Sequence, residues 1–155
     1  MPVEFLVVVL PGIGGTALAP PGHLDDPVWG GRIRDVGGLL AHPERLAIDV
    51  DLEPVGVIRS RTVFGILSVI PGYERLLGRL GREFGCAVDD GTPAGRDVDA
   101  GVVAVGYDFR RSIRDAASRL DDVVRERLDC LWPRQDHRGR VIGVGHSMGG
   151  LVARY

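Results

Sequence analysis

Five residues near the end of the chain, Gly145-His-Ser-Met-Gly149, have types and a spacing suited to nucleophilic chemistry. A short apolar run over 141–144 precedes them, and the helix-compatible run over 151–153 follows. Strand, sharp turn and helix in this order form a nucleophile elbow, which exposes a serine hydroxyl at its apex. The pattern therefore predicts Ser147 as a catalytic nucleophile, to be activated by a base and an orienting acid elsewhere in the fold.

The two flanking glycines, Gly145 and Gly149, have a mechanical role in such a turn. Residues two before and two after the serine crowd the strand and the helix, and the serine itself sits in a strained backbone conformation. A bare G-x-S-x-G also arises by chance in a chain with 23 glycines. The alternative interpretation is a glycine-rich turn without function, so a second motif has to support the first.

A candidate second motif is the glycine-rich stretch over 11–15, which directly follows the apolar run over 4–10. Backbone N–H groups near Ile13 could point at a substrate carbonyl, as in an oxyanion loop. The small neighbours Gly12 and Gly14 would let the backbone approach the substrate closely. In this interpretation, a loop early in the chain stabilises the negative charge that forms when Ser147 attacks a substrate carbonyl.

Two other interpretations of this stretch stay open. One is a plain turn. The other is dinucleotide binding, since Gly12, Gly14 and Ala17 satisfy G-x-G-x-x-A after a strand. That fingerprint must open a helix whose N-terminus holds the pyrophosphate, and Pro20-Pro21-Gly22 opposes such a helix.

Composition narrows the class of protein. The 155 residues are 45% hydrophobic and 26% charged, which suits one ordinary domain with a core. A net charge of -2 and four scattered histidines predict neither nucleic-acid binding nor a metal site. The apolar stretch over 5–10 is too short for a secretory signal or a membrane span. We therefore expect a cytoplasmic protein with no transmembrane segment, no metal and no cofactor.

The order of the predicted elements is that of an α/β protein with a parallel sheet and flanking helices. Buried strands are predicted over 4–10, 101–106 and 141–145, a helix from Pro71-Gly72 to Gly85, a second helix after a capping box at Ser112 and Asp115, and a polar loop over 134–138. Residues 16–70 form an irregular insertion, in which alternation over 46–52 and 55–58 predicts short strands or a hairpin.

Charged and aromatic residues outside the two glycine-rich motifs have ordinary interpretations. The acidic stretch over 89–99 lacks the spacing of a calcium loop and is predicted to be a solvated loop. Arg125 and Arg127 on the second helix are predicted to be solvated. Trp29 could cover an acyl site, but simple packing is the favoured interpretation.

Four segments together resemble the lecithin:cholesterol acyltransferase family of α/β-hydrolases. They are Val8-Val-Leu-Pro-Gly-Ile-Gly-Gly15, Pro71-Gly-Tyr73, Tyr107-Asp-Phe-Arg110 and Gly145-His-Ser-Met-Gly-Gly-Leu-Val152. The family more often has Trp where Phe109 stands. Single segments also occur in generic lipases, and the ordered set favours this family.

The resemblance implies a role for several residues. Ser147 would accept the acyl group, and the backbone N–H groups of Met148 and Ile13 would hold the oxyanion. Asp108 and Arg110 would stabilise the turn after their strand. The strand over 4–10 would lie between those over 101–106 and 141–145, and the insertion at about 16–70 would cover the site as a lid.

The implied substrates are an ester lipid or other acyl ester and an alcohol acceptor, with transient contact to a membrane surface. Hydrolysis by an esterase or lipase of the same fold is the alternative, and an inert fragment or binding module is another. In α/β-hydrolases an Asp or Glu and then a His follow the serine, yet none of these is among the eight residues after Ser147. We therefore expect residues 1–155 to be the N-terminal part of an α/β-hydrolase domain, with the C-terminal part absent.

Overall fold

The computed structural model describes most of the chain. The described residues are 5–30, 42–59, 61–63, 67–70, 72–132 and 139–155, and for 61–63 and 67–70 only the backbone is described. Glu4 of the first apolar run, Pro71 at the predicted start of a helix, the predicted loop over 134–138 and part of the predicted insertion lie outside them.

Eight strands and three α-helices lie in the described ranges. The strands are β1 (Phe5–Leu10), β2 (Thr16–Ala19), β3 (Glu53–Val57), β4 (Arg61–Val63), β5 (Leu67–Ile70), β6 (Val88–Asp89), β7 (Val102–Ala104) and β8 (Arg140–Gly145). The helices are α1 (Glu74–Phe84), α2 (Ile113–Leu131) and α3 (Met148–Val152), and short 3-10 helices cover Pro43–Leu46 and Pro93–Gly95.

Four parallel strands form the central sheet, in the order β6-β7-β1-β8. Val8 of β1 pairs with Val103 of β7 on one side and with Gly143 of β8 on the other. The expected position of β1 between these two strands is confirmed, and the chain has an α/β architecture. β6 extends the sheet beyond the predicted strands, and β8 lies at the opposite edge within the described part of the chain.

β1 is buried on both faces because helices cover the sheet from both sides. Leu6 and Leu10 pack in a cluster with side chains of α2 and α3. Val7 and Val9 point the other way and pack with Leu77 of α1. A continuous β-branched run suits this position, since neither face of the strand meets water. The three layers place the C-terminal ends of β1 and β8 side by side.

Local signals fix the start of α2 and the end of α1 as predicted, whereas α1 begins at Glu74 and not at Pro71-Gly72. Ser112 Oγ accepts the Asp115 N–H at 3.1 Å and the Asp115 carboxylate accepts the Ser112 N–H at 3.3 Å, which is a complete capping box at the start of α2. α1 ends before Gly85, whose φ of 61° provides the left-handed cap.

The prediction of a strand over 46–52 is wrong. The chain forms a 3-10 helix up to Leu46 and then turns, with the Val50 N–H bonded to the Ala47 carbonyl. Arg110 explains the difference, because its guanidinium donates to the carbonyls of Ala47 and Val50 at 2.7 and 3.1 Å. These carbonyls are satisfied by a side chain rather than by a partner strand.

The strand predicted over 55–58 is present as β3, which pairs antiparallel with β2 outside the central sheet. This pair and the loop over 22–30 border a cavity of about 770 Å³. Apolar side chains such as Ala17, Val55 and Val57 are prominent in its lining. The described part of the predicted insertion is therefore a small antiparallel unit packed beside the parallel sheet.

Two predictions of solvent exposure are wrong. Asp89, in the stretch over 89–99 predicted to be a solvated loop, and Arg127, predicted to be solvated on α2, do not lie in water. Both are buried, at 1% and 3% exposure. Their side chains form an ion pair, in which Asp89 also accepts the Gly91 N–H at 2.7 Å and Arg127 donates to the Asp97 carbonyl. Burial is tolerated because each charge is paired and hydrogen-bonded.

Candidate active site

The turn between β8 and α3 has the backbone geometry of a nucleophile elbow. Ser147 has φ 53° and ψ -122°, and it is the one non-glycine residue with positive φ among those described. Such a conformation costs roughly 1 to 3 kcal/mol and persists where the surrounding structure enforces it. The Ser147 side chain is exposed at the apex, so its hydroxyl is accessible to a substrate.

The flanking glycines allow the close approach that the motif requires. A Cβ on Gly145 would lie 2.6 Å from the backbone N of Gly150. A Cβ on Gly149 would lie 2.4 Å from the Leu10 carbonyl oxygen. Any larger residue at either position would push α3 away from the sheet, so the two glycines let the strand and the helix enforce the turn.

The glycine-rich stretch after β1 forms a tight turn. The Gly15 N–H donates to the Gly12 carbonyl at 2.9 Å, and Gly14 has φ 73° at the third position, as in a type II turn. Ile13 occupies the tip, with its side chain 71% exposed. Strand β2 follows the turn, and no helix opens there. The dinucleotide interpretation is therefore wrong, because a strand offers no helix N-terminus to a pyrophosphate.

The turn after β1, which we call the early loop (residues 11–15), meets the elbow directly. The His146 N–H donates to the Leu10 carbonyl at 3.0 Å. A Cβ placed on Gly12 would lie only 3.1 Å from the Cβ of Ser147. Parallel pairing of β1 with β8 produces this contact, since both strands end at the same edge of the sheet.

The backbone N–H groups of the early loop and the elbow differ in whether they are already hydrogen-bonded. Those of Ile13 and Met148 donate to no acceptor among the described residues. The next two N–H groups of α3 are already bonded, Gly149 to the His146 carbonyl and Gly150 to the Ser147 carbonyl, both at 2.9 Å. The N–H groups of Gly14 and Ser147 also have no acceptor among the described residues, so the unpaired set includes the predicted oxyanion donors Ile13 and Met148 without being limited to them. Unpaired N–H groups in such a turn suit a negatively charged oxygen.

Three aromatic side chains, none of them among the predicted catalytic residues, anchor the early loop. The Tyr107 hydroxyl donates to the Pro11 carbonyl at 2.6 Å, and the Tyr73 hydroxyl accepts the Gly12 N–H at 2.9 Å. Trp29 Nε1 donates to the Gly14 carbonyl at 2.8 Å. Trp29 thus packs, as predicted, and also holds the loop. The one available signal was that buried Tyr and Trp require a polar partner.

Tyr107 lies deepest of the three, at 1% exposure. Burial, with a smaller contribution from Tyr73, raises the pKa of the Tyr107 phenol to about 12. The phenol therefore stays protonated at neutral pH and remains a donor to the loop carbonyl.

Asp108 and Arg110 form a two-point ion pair after β7. Arg110 Nε donates to one carboxylate oxygen of Asp108 at 2.9 Å and Nη2 donates to the other at 2.7 Å. Burial alone would raise the pKa of the Asp108 carboxyl, but hydrogen bonds from the Arg110 side chain and backbone outweigh it and hold the pKa below its ordinary value. The pair fixes this turn, as the resemblance implied, and also ties it to residues 47–50.

Replacing Asp108→Asn should lower the free energy of unfolding by about 2 kcal/mol at pH 7, because charge-assisted hydrogen bonds are lost. The folded pKa of Asp108 lies below its unfolded value, so this stabilisation is complete above the unfolded pKa, about 3.9. It is lost as pH falls through the folded pKa. Urea unfolding at pH 7 and at about pH 3 measures both effects.

The matched control is Asp121→Asn, which removes an exposed pair with Arg125 on α2. We expect little change in its unfolding midpoint, since exposed pairs contribute little. If Asp108→Asn lowered the free energy of unfolding equally at both pH values, the lowered pKa assigned to Asp108 would be contradicted.

Three further features of the described residues concern metal ions, membrane spans and ligand cavities. No cluster of three His, Cys, Asp or Glu side chains in these ranges could hold a metal ion. None of the described helices combines the length and apolar character needed to cross a bilayer. Ser147, Ile13 and Met148 do not line the 770 Å³ cavity. This cavity is therefore separate from the elbow.

Comparison with known proteins adds no relative. No protein-family model matches the chain, and neither a curated protein nor a solved structure matches it. Membership of the lecithin:cholesterol acyltransferase family therefore stays a prediction based on four sequence segments.

Proposed function

We propose that this protein transfers an acyl group from an ester lipid to an alcohol through an acyl intermediate on Ser147. One observation carries the proposal. The strained, exposed Ser147 faces the early loop, and the N–H groups of Ile13 and Met148 beside it have no acceptor among the described residues. Unpaired backbone N–H groups next to a nucleophile can stabilise a tetrahedral oxyanion, and this supports the proposal.

The chemistry follows in two steps. Ser147 Oγ attacks the ester carbonyl carbon, its proton passes to a base, and the carbonyl oxygen becomes an oxyanion held by the Ile13 and Met148 N–H groups. Collapse breaks the bond to the leaving alcohol, which takes the proton from the base. An acceptor alcohol then reverses the sequence and carries away the acyl group.

We assign no residue to the base. Among the described residues no imidazole bonds Ser147 Oγ, and the His146 ring bonds Tyr73 through Nδ1 at 2.8 Å. The proposal therefore covers the nucleophile and the oxyanion donors, and the base and its orienting acid would come from elsewhere in the protein.

The choice of acceptor separates a transferase from a hydrolase. Water in place of the alcohol would give an esterase or lipase by the same two steps. The resemblance of the ordered set of four sequence segments favours the acyltransferase. Transient contact with a membrane surface belongs to this proposal, because an ester lipid is presented there.

The test uses protein expressed from the complete reading frame, incubated with a chromogenic ester with and without an added alcohol. Diversion of the acyl group into a new ester supports transfer. Release of free acid alone supports the hydrolase. Absence of both products, together with binding of the ester, would favour a non-catalytic binding module.

A further inference from the structure

The hydroxyl of Tyr73 lies between the two motifs that form the candidate site. It accepts the Gly12 N–H at 2.9 Å and lies 2.8 Å from Nδ1 of His146, the residue before Ser147. The Tyr73 and His146 rings are 6.1 Å apart at 58°. One phenol thus contacts both the early loop and the elbow.

The hydrogen-bonding capacity of a phenol allows two directions for the Tyr73–His146 bond. Its oxygen has one hydrogen and two acceptor sites, and the Gly12 N–H occupies one acceptor site. The hydrogen can be donated to an unprotonated Nδ1 of His146, whereas a protonated Nδ1 would donate to the second acceptor site. The positioning role described below uses the first direction, with the ring proton on Nε2.

Tyr73 holds one side of a peptide unit whose other side is held by Tyr107. The Pro11 carbonyl accepts the Tyr107 hydroxyl at 2.6 Å, and the Gly12 N–H of the same peptide donates to Tyr73 at 2.9 Å. Because a peptide unit is planar, bonds at both ends prevent it from rotating. The Ile13 N–H belongs to the next peptide, whose Gly12 carbonyl accepts the Gly15 N–H at 2.9 Å, so both adjoining peptides are held.

The position of Tyr73 is itself well determined. It precedes α1, its N–H donates to the Ile58 carbonyl at 3.1 Å, and its carbonyl accepts the Leu77 N–H at 2.9 Å. Its ring lies against the early loop, because a Cβ on Gly15 would be 3.0 Å from Tyr73 Cε2. The hydroxyl therefore acts as a fixed point.

We propose that Tyr73 is a positioning residue for acyl transfer. Its hydroxyl holds the Gly12 peptide and the His146 ring. In this arrangement Ser147 Oγ attacks the carbonyl carbon of the substrate while the Ile13 N–H donates to the oxygen of the same carbonyl. This inference rests on the proposed function. Tyr73 does not touch the reacting atoms in this role and acts through the loop and the elbow.

The test compares Tyr73→Phe with Tyr155→Phe, which also removes one phenol hydroxyl but from an exposed bond to Arg114. We expect Tyr73→Phe to lower kcat about tenfold, since small displacements of a reacting group are costly. Fluorophosphonate labelling of Ser147 should slow equally, with KM and the thermal midpoint nearly unchanged. Tyr155→Phe should behave as the wild type.

Long-range ¹H–¹⁵N spectra of His146 give a readout that a merely structural role would not move. The wild type should carry the proton on Nε2 with a hydrogen bond at Nδ1, and Tyr73→Phe should shift the Nδ1 resonance because that bond is lost. An Nδ1-protonated wild type, or an unchanged Nδ1 resonance in the variant, would overturn the inference even if the variant folds poorly.

The kinetic outcomes separate the two proposals. Labelling of the wild type with an equal rate in Tyr73→Phe, or a rise in KM alone, overturns the positioning role and leaves the proposed function standing. Absence of labelling in the wild type overturns the proposed function, and the role of Tyr73 in catalysis falls with it.

Discussion

Replacing Ser147→Ala should lower ester turnover by a factor of about 10⁴ or more, because no other group can take over the nucleophile's covalent step. The fold should persist, since alanine adds no atom to the elbow. Turnover of a chromogenic ester, with the thermal midpoint measured in parallel, checks both statements.

The matched control is Ser118→Ala, which removes a hydroxyl from an exposed position on α2 that lies outside the elbow and the early loop. It should leave turnover unchanged. If Ser147→Ala kept more than about a tenth of wild-type turnover, the nucleophile would have to be another residue.

Replacing Gly149→Ala should lower the free energy of unfolding by about 3 kcal/mol or more, because overpacking against backbone is costly. The added Cβ would lie 2.4 Å from the Leu10 carbonyl oxygen and 2.7 Å from that of Pro11. Neither oxygen can move without shifting β1 or the early loop, so turnover should fall as well. Urea unfolding at pH 7 measures the loss of stability.

Gly78→Ala in α1 serves as the control for a glycine substitution. Its Cβ would meet only the Arg82 guanidinium, at 3.5 Å, and alanine favours the helix by up to about 1 kcal/mol. The control should be as stable as the wild type or slightly more so. Equal stability of both variants would mean that α3 does not press on the end of β1.

Elements with strong local signals could be predicted from the sequence. The apolar run of β1, the capping box before α2 and the glycine after α1 each concern residues within a few positions of one another. The strand, turn and helix around Ser147 belong to the same class. Such features need no knowledge of a distant partner, because neighbouring side chains and backbone groups satisfy them.

Features that depend on distant partners could not be predicted. Asp89 and Arg127 are 38 positions apart, and either charge alone would be expected in water. The alternation over 46–52 predicts a strand, but Arg110 donates to the carbonyls of Ala47 and Val50 and the segment forms a turn. In both cases a long-range contact overrides the local pattern.

The same limit applies to the candidate site. The sequence predicted roles for Ser147 and the early loop separately, but parallel pairing of β1 with β8 brings them together. Tyr73, Tyr107 and Trp29 anchor the loop through its backbone atoms, which carry no signature of their own. A side chain bonded to backbone can come from any part of the chain, so only coordinates identify it.

The most direct test of the proposed site is a crystal structure of the protein after reaction with a fluorophosphonate. We expect a covalent bond to Ser147 Oγ, with the phosphonyl oxygen accepting the N–H groups of both Ile13 and Met148. An adduct on another residue, or a phosphonyl oxygen directed away from the early loop, would contradict the proposal that these two N–H groups hold the oxyanion.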